Sequence, residues 1–166
     1  MYSTSTLFRW VKVVSVLGIG LYGFLITFNN ITDYDTNYLF VKHVMEMDTV
    51  FSDSNVHYRA IHSPFLFHSG YILIILAESL LTIFCLKGSW SMFKNLKKDT
   101  ASFHTSKNWA VAGIIISILL WFVGFQVIGG EWFVMWQSTN WNGLGAAQRV
   151  LSFMLLVLIL LHFKDD

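Results

Sequence analysis

Four long apolar blocks constrain the fold of this chain more than any other feature of its sequence. They are Leu7–Phe28, Phe65–Leu86, Trp109–Ile128 and Gly145–His162. A helix rises about 1.5 Å per residue, so crossing about 30 Å of hydrocarbon takes about 20 residues. The last block is the shortest, and it must stand nearly upright or lie in a thin region of bilayer. Because the blocks lack the alternation of barrel strands, we predict four transmembrane helices.

The composition supports the same interpretation. Only 13% of the 166 residues are charged and 55% are hydrophobic, whereas about a quarter of a soluble domain is charged. We therefore predict an all-α fold, a four-helix transmembrane bundle forming one integral membrane domain over residues 1–166. In the first block Arg9 and Lys12 precede an apolar run as in a signal peptide, but no small-residue cleavage site follows, so an uncleaved span is expected.

The charged residues between the blocks are distributed unevenly. The loop between the second and third blocks holds five lysines against one acidic residue. Residues 29–64 hold two basic and five acidic residues, and residues 129–144 hold Glu131 and neither lysine nor arginine. The positive-inside rule then places both termini and the lysine-rich loop in the cytoplasm. We expect residues 29–64 and 129–144 to form loops on the opposite, outer side of the membrane.

The first outer loop contains a predicted amphipathic helix. From Asn37 onward, apolar residues recur at helical spacing, namely Leu39, Phe40, Val44, Met47 and Phe51. Lys42 and Glu46 stand on the other side as an i,i+4 pair. This pattern indicates a short helix between spans one and two, lying on the membrane surface or over the bundle.

The second outer loop is rich in tryptophan and carries interleaved polar residues. Gly129 and Gly130 are expected to end the third span with a sharp backbone turn. The tryptophans that follow are typical of an interfacial aromatic belt, or they form a cage around a ligand with polar contacts beside them. The candidate binding residues are Glu131, Trp132, Trp136, Gln137 and Trp141.

Histidines and carboxylates on the outer side raise the hypothesis of a metal site. His43 and Glu46 stand at i,i+3 on one helix face, and His62 is a third candidate ligand. Such ligands suit Zn, Fe, Mn or Cu(II). The alternative is that polar residues simply populate an aqueous face, since no HExxH pattern is present. Haem is not expected, because the histidines lie at span ends or outside the spans.

Two charged residues fall within the predicted spans. Glu78 lies near the middle of the second block and Arg149 in the outer half of the fourth. A carboxylate there is costly unless it is protonated, paired or hydrated, so it suggests a functional site. Arg149 is predicted to pair with Glu78 or with Glu131, as a structural pair that fixes helix register. The alternative is a proton or ion relay, which normally needs several such groups along one path.

Other classes of function find little support in the residues. The lone Cys85 excludes an internal disulfide and a cysteine-based metal motif. No basic run with interleaved aromatics suggests nucleic acid, and no GxSxG elbow or phosphate-binding glycine loop is present, so no catalytic residue is predicted. Small residues suited to close helix contacts within or between chains are Gly70, Ala77, Gly113, Ser117 and Gly124.

Several segments resemble a bacterial family of predicted small integral membrane proteins that carry a domain of unknown function. They are Ile31–Asn37, Phe40–Thr49, Tyr58–Ile61 and the GGEWFxMWQSxxWNG pattern that starts at Gly129. The resemblance covers nearly the whole chain, including Glu78, Lys107 and Arg149. It implies a four-span inner-membrane protein of bacterial origin and brings no activity, substrate or catalytic residue.

The leading functional hypothesis is a non-enzymatic membrane module. It would be an accessory subunit of a larger membrane complex, a homo-oligomer or a binding protein, and its outer side would contact a partner, lipid or small ligand. The first alternative is a membrane enzyme, redox or hydrolytic, that depends on a transition metal held by His43, Glu46 and their neighbours. The second alternative is a small transporter that uses Glu78.

Overall fold

The computed structural model describes residues 3–165, and this part of the chain is helical with no strand. The α-helices are α1 Thr4–Thr32, α2 Tyr34–Glu46, α3 Pro64–Lys94, α4 Thr100–Thr105, α5 Asn108–Ile118 and α6 Leu144–His162. A π-helical segment, Leu119–Trp132, continues α5. Four stretches are long and apolar enough to span a membrane: α1, α3, α6 and the stretch from Thr100 to Trp132. The predicted four-helix transmembrane bundle is therefore confirmed, and each helix extends beyond its apolar block.

The bundle encloses one apolar core with large hydrophobic residues on its outside. Fully buried side chains from each spanning helix meet in the centre, including Ile19, Cys85, Ile114 and Met154. Outward-facing residues such as Leu73, at 65% exposure, are also apolar. A protein that is hydrophobic inside and outside is suited to lipid rather than water.

Glycines set the closest approaches between helices. The expectation for Gly113 is confirmed, because a Cβ there would lie 2.6 Å from the Sγ of Cys85. Gly70 and Gly124 are less crowded, with nearest neighbours at 3.6 and 3.9 Å. Gly88 is among the tightest, because a Cβ there would overlap the backbone of Ala110. Small residues therefore let α3 and α5 touch backbone to backbone.

One end of the bundle is closed by buried cations around Asp165, and we call it the lysine end. The Nζ of Lys12 lies 2.5 Å from Oδ1 of Asp165, and the Nζ of Lys107 contacts Oδ2. Arg9 donates to the backbone oxygens of Asp165 (2.8 Å) and Lys98 (2.6 Å). Lys107 also donates to the oxygen of Leu161 at 2.9 Å, near the C-terminus of α6, where a cation is favourable. Both described ends of the chain and the lysine-rich loop therefore meet on one side.

The prediction that Gly129 and Gly130 end the third span is wrong. The helix continues to Trp132 with five-residue spacing, so that the amide of Phe133 bonds to the oxygen of Ile128 at 3.0 Å. Neither glycine has a positive φ, and the turn is made by Val134 at φ 46°. The glycines instead make room for packing, because a Cβ at Gly130 would lie 2.9 Å from a methyl group of Leu144.

Candidate functional site

The end opposite the lysine end is covered by α2, and we call it the capped end. Tyr34 of α2 hydrogen-bonds to Nδ1 of His68 on α3 at 2.9 Å, and its ring packs on Tyr71 at 4.7 Å. Desolvation raises the pKa of Tyr34, and the neighbouring Tyr38 and Asp35 act in the same direction. The phenol therefore keeps its proton at neutral pH, and it ties α2 to α3.

The predicted amphipathic helix is confirmed with shifted bounds. It begins at Tyr34, three residues before the expected Asn37, and ends at Glu46. Met47 adopts a left-handed conformation (φ 54°), so the helix stops there. Met47 then packs with Phe133 and Val134 in a small apolar cluster, which joins the two connecting segments of the capped end.

The three candidate tryptophans contact three different parts of the first loop. The guanidinium of Arg59 lies 4.8 Å from the Trp132 ring centre. Trp136 meets Phe51 edge to face at 6.1 Å, and Trp141 stacks on His43 at 4.4 Å. Within residues 3–165 no two of these three rings are in aromatic contact, and each of them packs against the first loop. Their binding role, with that of Glu131 and Gln137, stays a prediction.

Beneath α2 lies a pocket of about 310 Å³. Every spanning helix contributes to its lining, together with α2, through residues that include Asn30, Phe40, Glu78, Trp121 and Ala146. Small-molecule sites measure about 300–1,000 Å³, so the pocket falls at the lower end of that range. It lies near the ends of α1 and α6 that are farthest from the lysine end, beneath the capped surface.

Glu78 is the only carboxylate of this pocket, and a network of amides holds it. Its side chain is buried, and its Oε2 accepts a hydrogen bond from Nδ2 of Asn30 at 2.6 Å. Nδ2 of Asn37 donates to Oδ1 of Asn30 at 2.7 Å, and the Tyr71 hydroxyl donates to the Asn30 backbone oxygen at 3.1 Å. Asn30 therefore links α1, α2 and α3 around the carboxylate.

The predicted ion pair of Arg149 with Glu78 or Glu131 does not form among the residues that the structure describes. Arg149 lies on the exposed side of α6, whereas its neighbours Ala147 and Val150 face the core. Arg149 does not share the core-facing side of α6 with Ala147 and Val150, because residues one or two positions apart on a helix point in different directions. The amide of Asn30 takes the place that was expected for the guanidinium.

Glu78 lies at the capped end of the bundle rather than at its middle. It stands halfway along α3, but its partner Asn30 lies two residues before the end of α1 at Thr32. Along α1, Asn30 is about 27 Å from Lys12 at the lysine end, which is nearly the whole hydrocarbon thickness. The first part of α3 therefore projects past α1 and packs against α2, and the carboxylate is within reach of the capped surface.

The pocket also contains polar atoms without partners. The indole nitrogen of Trp121 is buried and makes no hydrogen bond within residues 3–165. Only one oxygen of Glu78 accepts a side-chain hydrogen bond. Buried polar groups are paired in the great majority of proteins, so each exception needs an explanation. The pocket therefore offers a ligand the second oxygen of Glu78 as a free acceptor.

Sequence reasoning missed most of this pocket. Asn30, Asn37, Tyr71, Trp121 and Phe125 line it, and none was a candidate. One signal was present, because two amides seven residues apart stand at the end of an apolar span. The aromatic residues gave no signal, since such residues are common within spans and at their ends.

Two of the three predicted metal ligands come together. His43, Glu46 and Asp48 can each place one ligand atom within 4.8 Å of the others, and Nδ1 of His43 lies 2.6 Å from Oδ2 of Asp48. His62 is exposed and lies outside this group. Asp48 completes the group because the left-handed Met47 turns the chain back towards α2.

Comparison with known proteins identifies one family. The model of a family described as "Predicted small integral membrane protein (DUF2165)" matches residues 8–164. No curated protein and no solved structure matches the chain. The matched range includes the whole pocket and both connecting segments of the capped end.

Proposed function

This chain belongs to the family of predicted small integral membrane proteins. We propose that it is a membrane-embedded binding module for a small ligand. The site is the pocket beneath α2. The observation that carries the proposal is a buried carboxylate, Glu78, with one oxygen open, in a pocket that is otherwise lined mainly by apolar and aromatic residues. A pocket with a few convergent polar groups among apolar walls is the usual form of a small-molecule site.

The core beneath the pocket favours binding over transport. Between Glu78 and the cations of the lysine end, the buried side chains include no other carboxylate, lysine, arginine or histidine in the described part of the chain. Ile19, Cys85 and Ile114 fill this region. A relay of protons or ions normally needs several ionisable groups along one path, so a transporter that uses Glu78 has less support than a binding site.

The capped end is proposed to face away from the cytoplasm. The lysine-rich loop lies at the opposite end, as the positive-inside rule favours, and the resemblance to a bacterial family supports a location in the inner membrane. Trp132 and Trp136 remain 51% and 49% exposed at the capped end. These rings, with the exposed Glu131, are where an accessory subunit would contact a partner, because exposed aromatic residues are enriched at interfaces.

Filling the pocket is expected to remove the bound ligand. Ala146 lines the pocket, so the ring of an Ala146→Phe side chain would occupy it. The protein would be extracted directly into native-lipid discs, and its small molecules would be measured by mass spectrometry. We expect a near-stoichiometric small molecule in the wild type that Ala146→Phe lacks.

The neighbouring Gly145→Phe is the matched control, because Gly145 lies outside the pocket lining and a side chain there meets open space. This variant should retain the small molecule. Protection of the buried Cys85 thiol from alkylation would show that both variants are folded. Identical small-molecule contents in the wild type and Ala146→Phe would contradict the proposal.

A second candidate function is metal-dependent chemistry at the capped end. The convergence of His43, Glu46 and Asp48 within 4.8 Å favours it. Three protein ligands with an open fourth position are typical of catalytic zinc sites. The stacking of His43 on Trp141 would hold the imidazole in one orientation.

The metal hypothesis predicts that the protein, purified without an affinity tag, carries a transition metal. Elemental analysis should find about one equivalent in the wild type, because such sites bind tightly. His43→Ala should lose it, while His62→Ala should keep it, since His62 lies outside the group. Less than about a tenth of an equivalent in the wild type would exclude a tight site.

A further inference from the structure

We infer that the ligand of the pocket carries an ammonium group and that Glu78 is its counter-ion. The inference rests on the proposed function, because it names the ligand class of the same pocket. The ammonium would belong to a small amine or quaternary amine, either free or as the headgroup of a phospholipid.

The first argument is the missing counter-charge. Within residues 3–165 no lysine, arginine or histidine lies within ion-pair distance of Glu78. The amide of Asn30 stabilises one carboxylate oxygen, but it carries no charge. A buried charge is costly unless it is paired. A cationic ligand supplies the pair and contacts the open oxygen.

The second argument is the aromatic wall. Phe40, Tyr71, Trp121 and Phe125 line the same pocket as Glu78. The rings of Trp121 and Phe125 lie 4.7 Å apart, and Phe125 stacks against Phe40 at 6.2 Å. Cations bind aromatic faces within about 6 Å of the ring centre, and sites for quaternary ammonium groups are built in this way. A carboxylate among several rings therefore selects a positive charge with an apolar shell.

The third argument concerns the rest of the ligand. Asn29 also lines the pocket, and its side-chain amide can donate a hydrogen bond to an acceptor of the ligand, such as a hydroxyl or phosphate oxygen. The pocket of about 310 Å³ admits a small molecule. An amino alcohol, or its phosphoester in a lipid headgroup, carries both groups. The capped end of α1, where Glu78 lies, is also the depth at which headgroups are found.

Choline and its uncharged isostere distinguish charge recognition from simple pocket filling. The protein would be placed in discs of phosphatidylglycerol, and its thermal unfolding would be followed by alkylation of the buried Cys85. We expect choline and tetramethylammonium to raise the unfolding temperature in a saturable way, since a ligand that binds only the folded state stabilises it. The isostere 3,3-dimethylbutan-1-ol and an equal concentration of NaCl should cause no comparable shift.

Glu78→Gln tests the role of the carboxylate, because glutamine has the same shape and can still accept the hydrogen bond from Asn30. This variant should fold and lose the shift with choline. Asp53→Asn is the control for removal of a negative charge, since Asp53 is exposed and lies outside the pocket. It should respond like the wild type.

Discs of phosphatidylethanolamine or phosphatidylcholine identify the source of the ammonium. Stabilisation that depends on Glu78 in these lipids, without a response to free choline, would assign the site to a headgroup. Equal responses to choline and its isostere, or an unchanged response in Glu78→Gln, would overturn the ammonium assignment. So would the absence of a shift with every ammonium probe and lipid. The extraction test with Ala146→Phe does not depend on the charge of the ligand. A bound small molecule found there, without a response to ammonium probes, would overturn the ammonium assignment and leave the proposed binding function standing.

Discussion

Replacing Asp165 by alanine is expected to lower the free energy of unfolding by about 3 to 5 kcal/mol, the usual cost of breaking a buried ion pair. The Asp165 carboxylate is bonded to both Lys12 and Lys107. The side chains of these two lysines are only 2% and 4% exposed. Removal of the aspartate leaves two buried ammonium groups with only backbone oxygens as partners, so the lysine end would open.

Thermal unfolding followed by the alkylation of Cys85 measures this effect, because this thiol is buried in the core and is the chain's only cysteine. Asp165→Asn should be destabilised too, since it keeps the shape but lacks the charge. The control Asp53→Ala removes an exposed carboxylate and should stay within about 0.5 kcal/mol of the wild type. Equal stability of Asp165→Ala and Asp53→Ala would show that the cations at this end need no counter-ion.

Adding one methyl group at Gly88 is expected to cost about 1 to 3 kcal/mol, the usual range for overpacking. A Cβ at this position would lie 2.8 Å from the Cα of Ala110 and 2.9 Å from its Cβ. Backbone atoms cannot move aside by changing a rotamer, so α3 and α5 would have to separate. The larger Gly88→Leu should prevent the helices from packing.

Circular dichroism during unfolding in sodium dodecyl sulfate would compare Gly88→Ala with Gly18→Ala. Gly18 belongs to α1, and a Cβ there has no neighbour within 4 Å. Gly18→Ala should therefore be neutral or slightly stabilising, by up to about 1 kcal/mol, because alanine favours the helix over glycine. Similar unfolding of the two variants would mean that the contact between α3 and α5 does not limit stability.

Some residues of the pocket could be predicted from the sequence and others could not. Glu78 is visible in the sequence because a carboxylate in an apolar block is costly and therefore uncommon. Its partner is not visible, because Asn30 lies 48 residues away. The same holds at the lysine end, where Lys12 and Asp165 are 153 residues apart. Such pairs depend on which helices are neighbours, and no local pattern encodes that.

Backbone conformations likewise divide into those that the sequence predicts and those that depend on the tertiary structure. The helical pattern of the first loop predicted α2, since periodic apolar residues favour an amphipathic helix. The left-handed Met47 and Val134 could not be foreseen, because positive φ is uncommon for residues other than glycine. The π-helical winding before Trp132 was missed too, and it invalidated the expected turn at Gly129 and Gly130. Such conformations persist where the surrounding packing compensates for them.

The sequence by itself determined that the chain forms four apolar helices with one amphipathic helix between the first two. This followed from local requirements, because lipid demands apolar side chains and internally satisfied backbone groups within each segment. Only the tertiary structure decided that Glu78 lies at the capped end with Asn30, beneath Phe40 and beside Trp121. The relative shift of α1 and α3 fixes that depth, and Gly20 and Gly23 of α1 pack closely against α3 at Leu86 and Leu81. The pocket is therefore a property of how the helices are assembled.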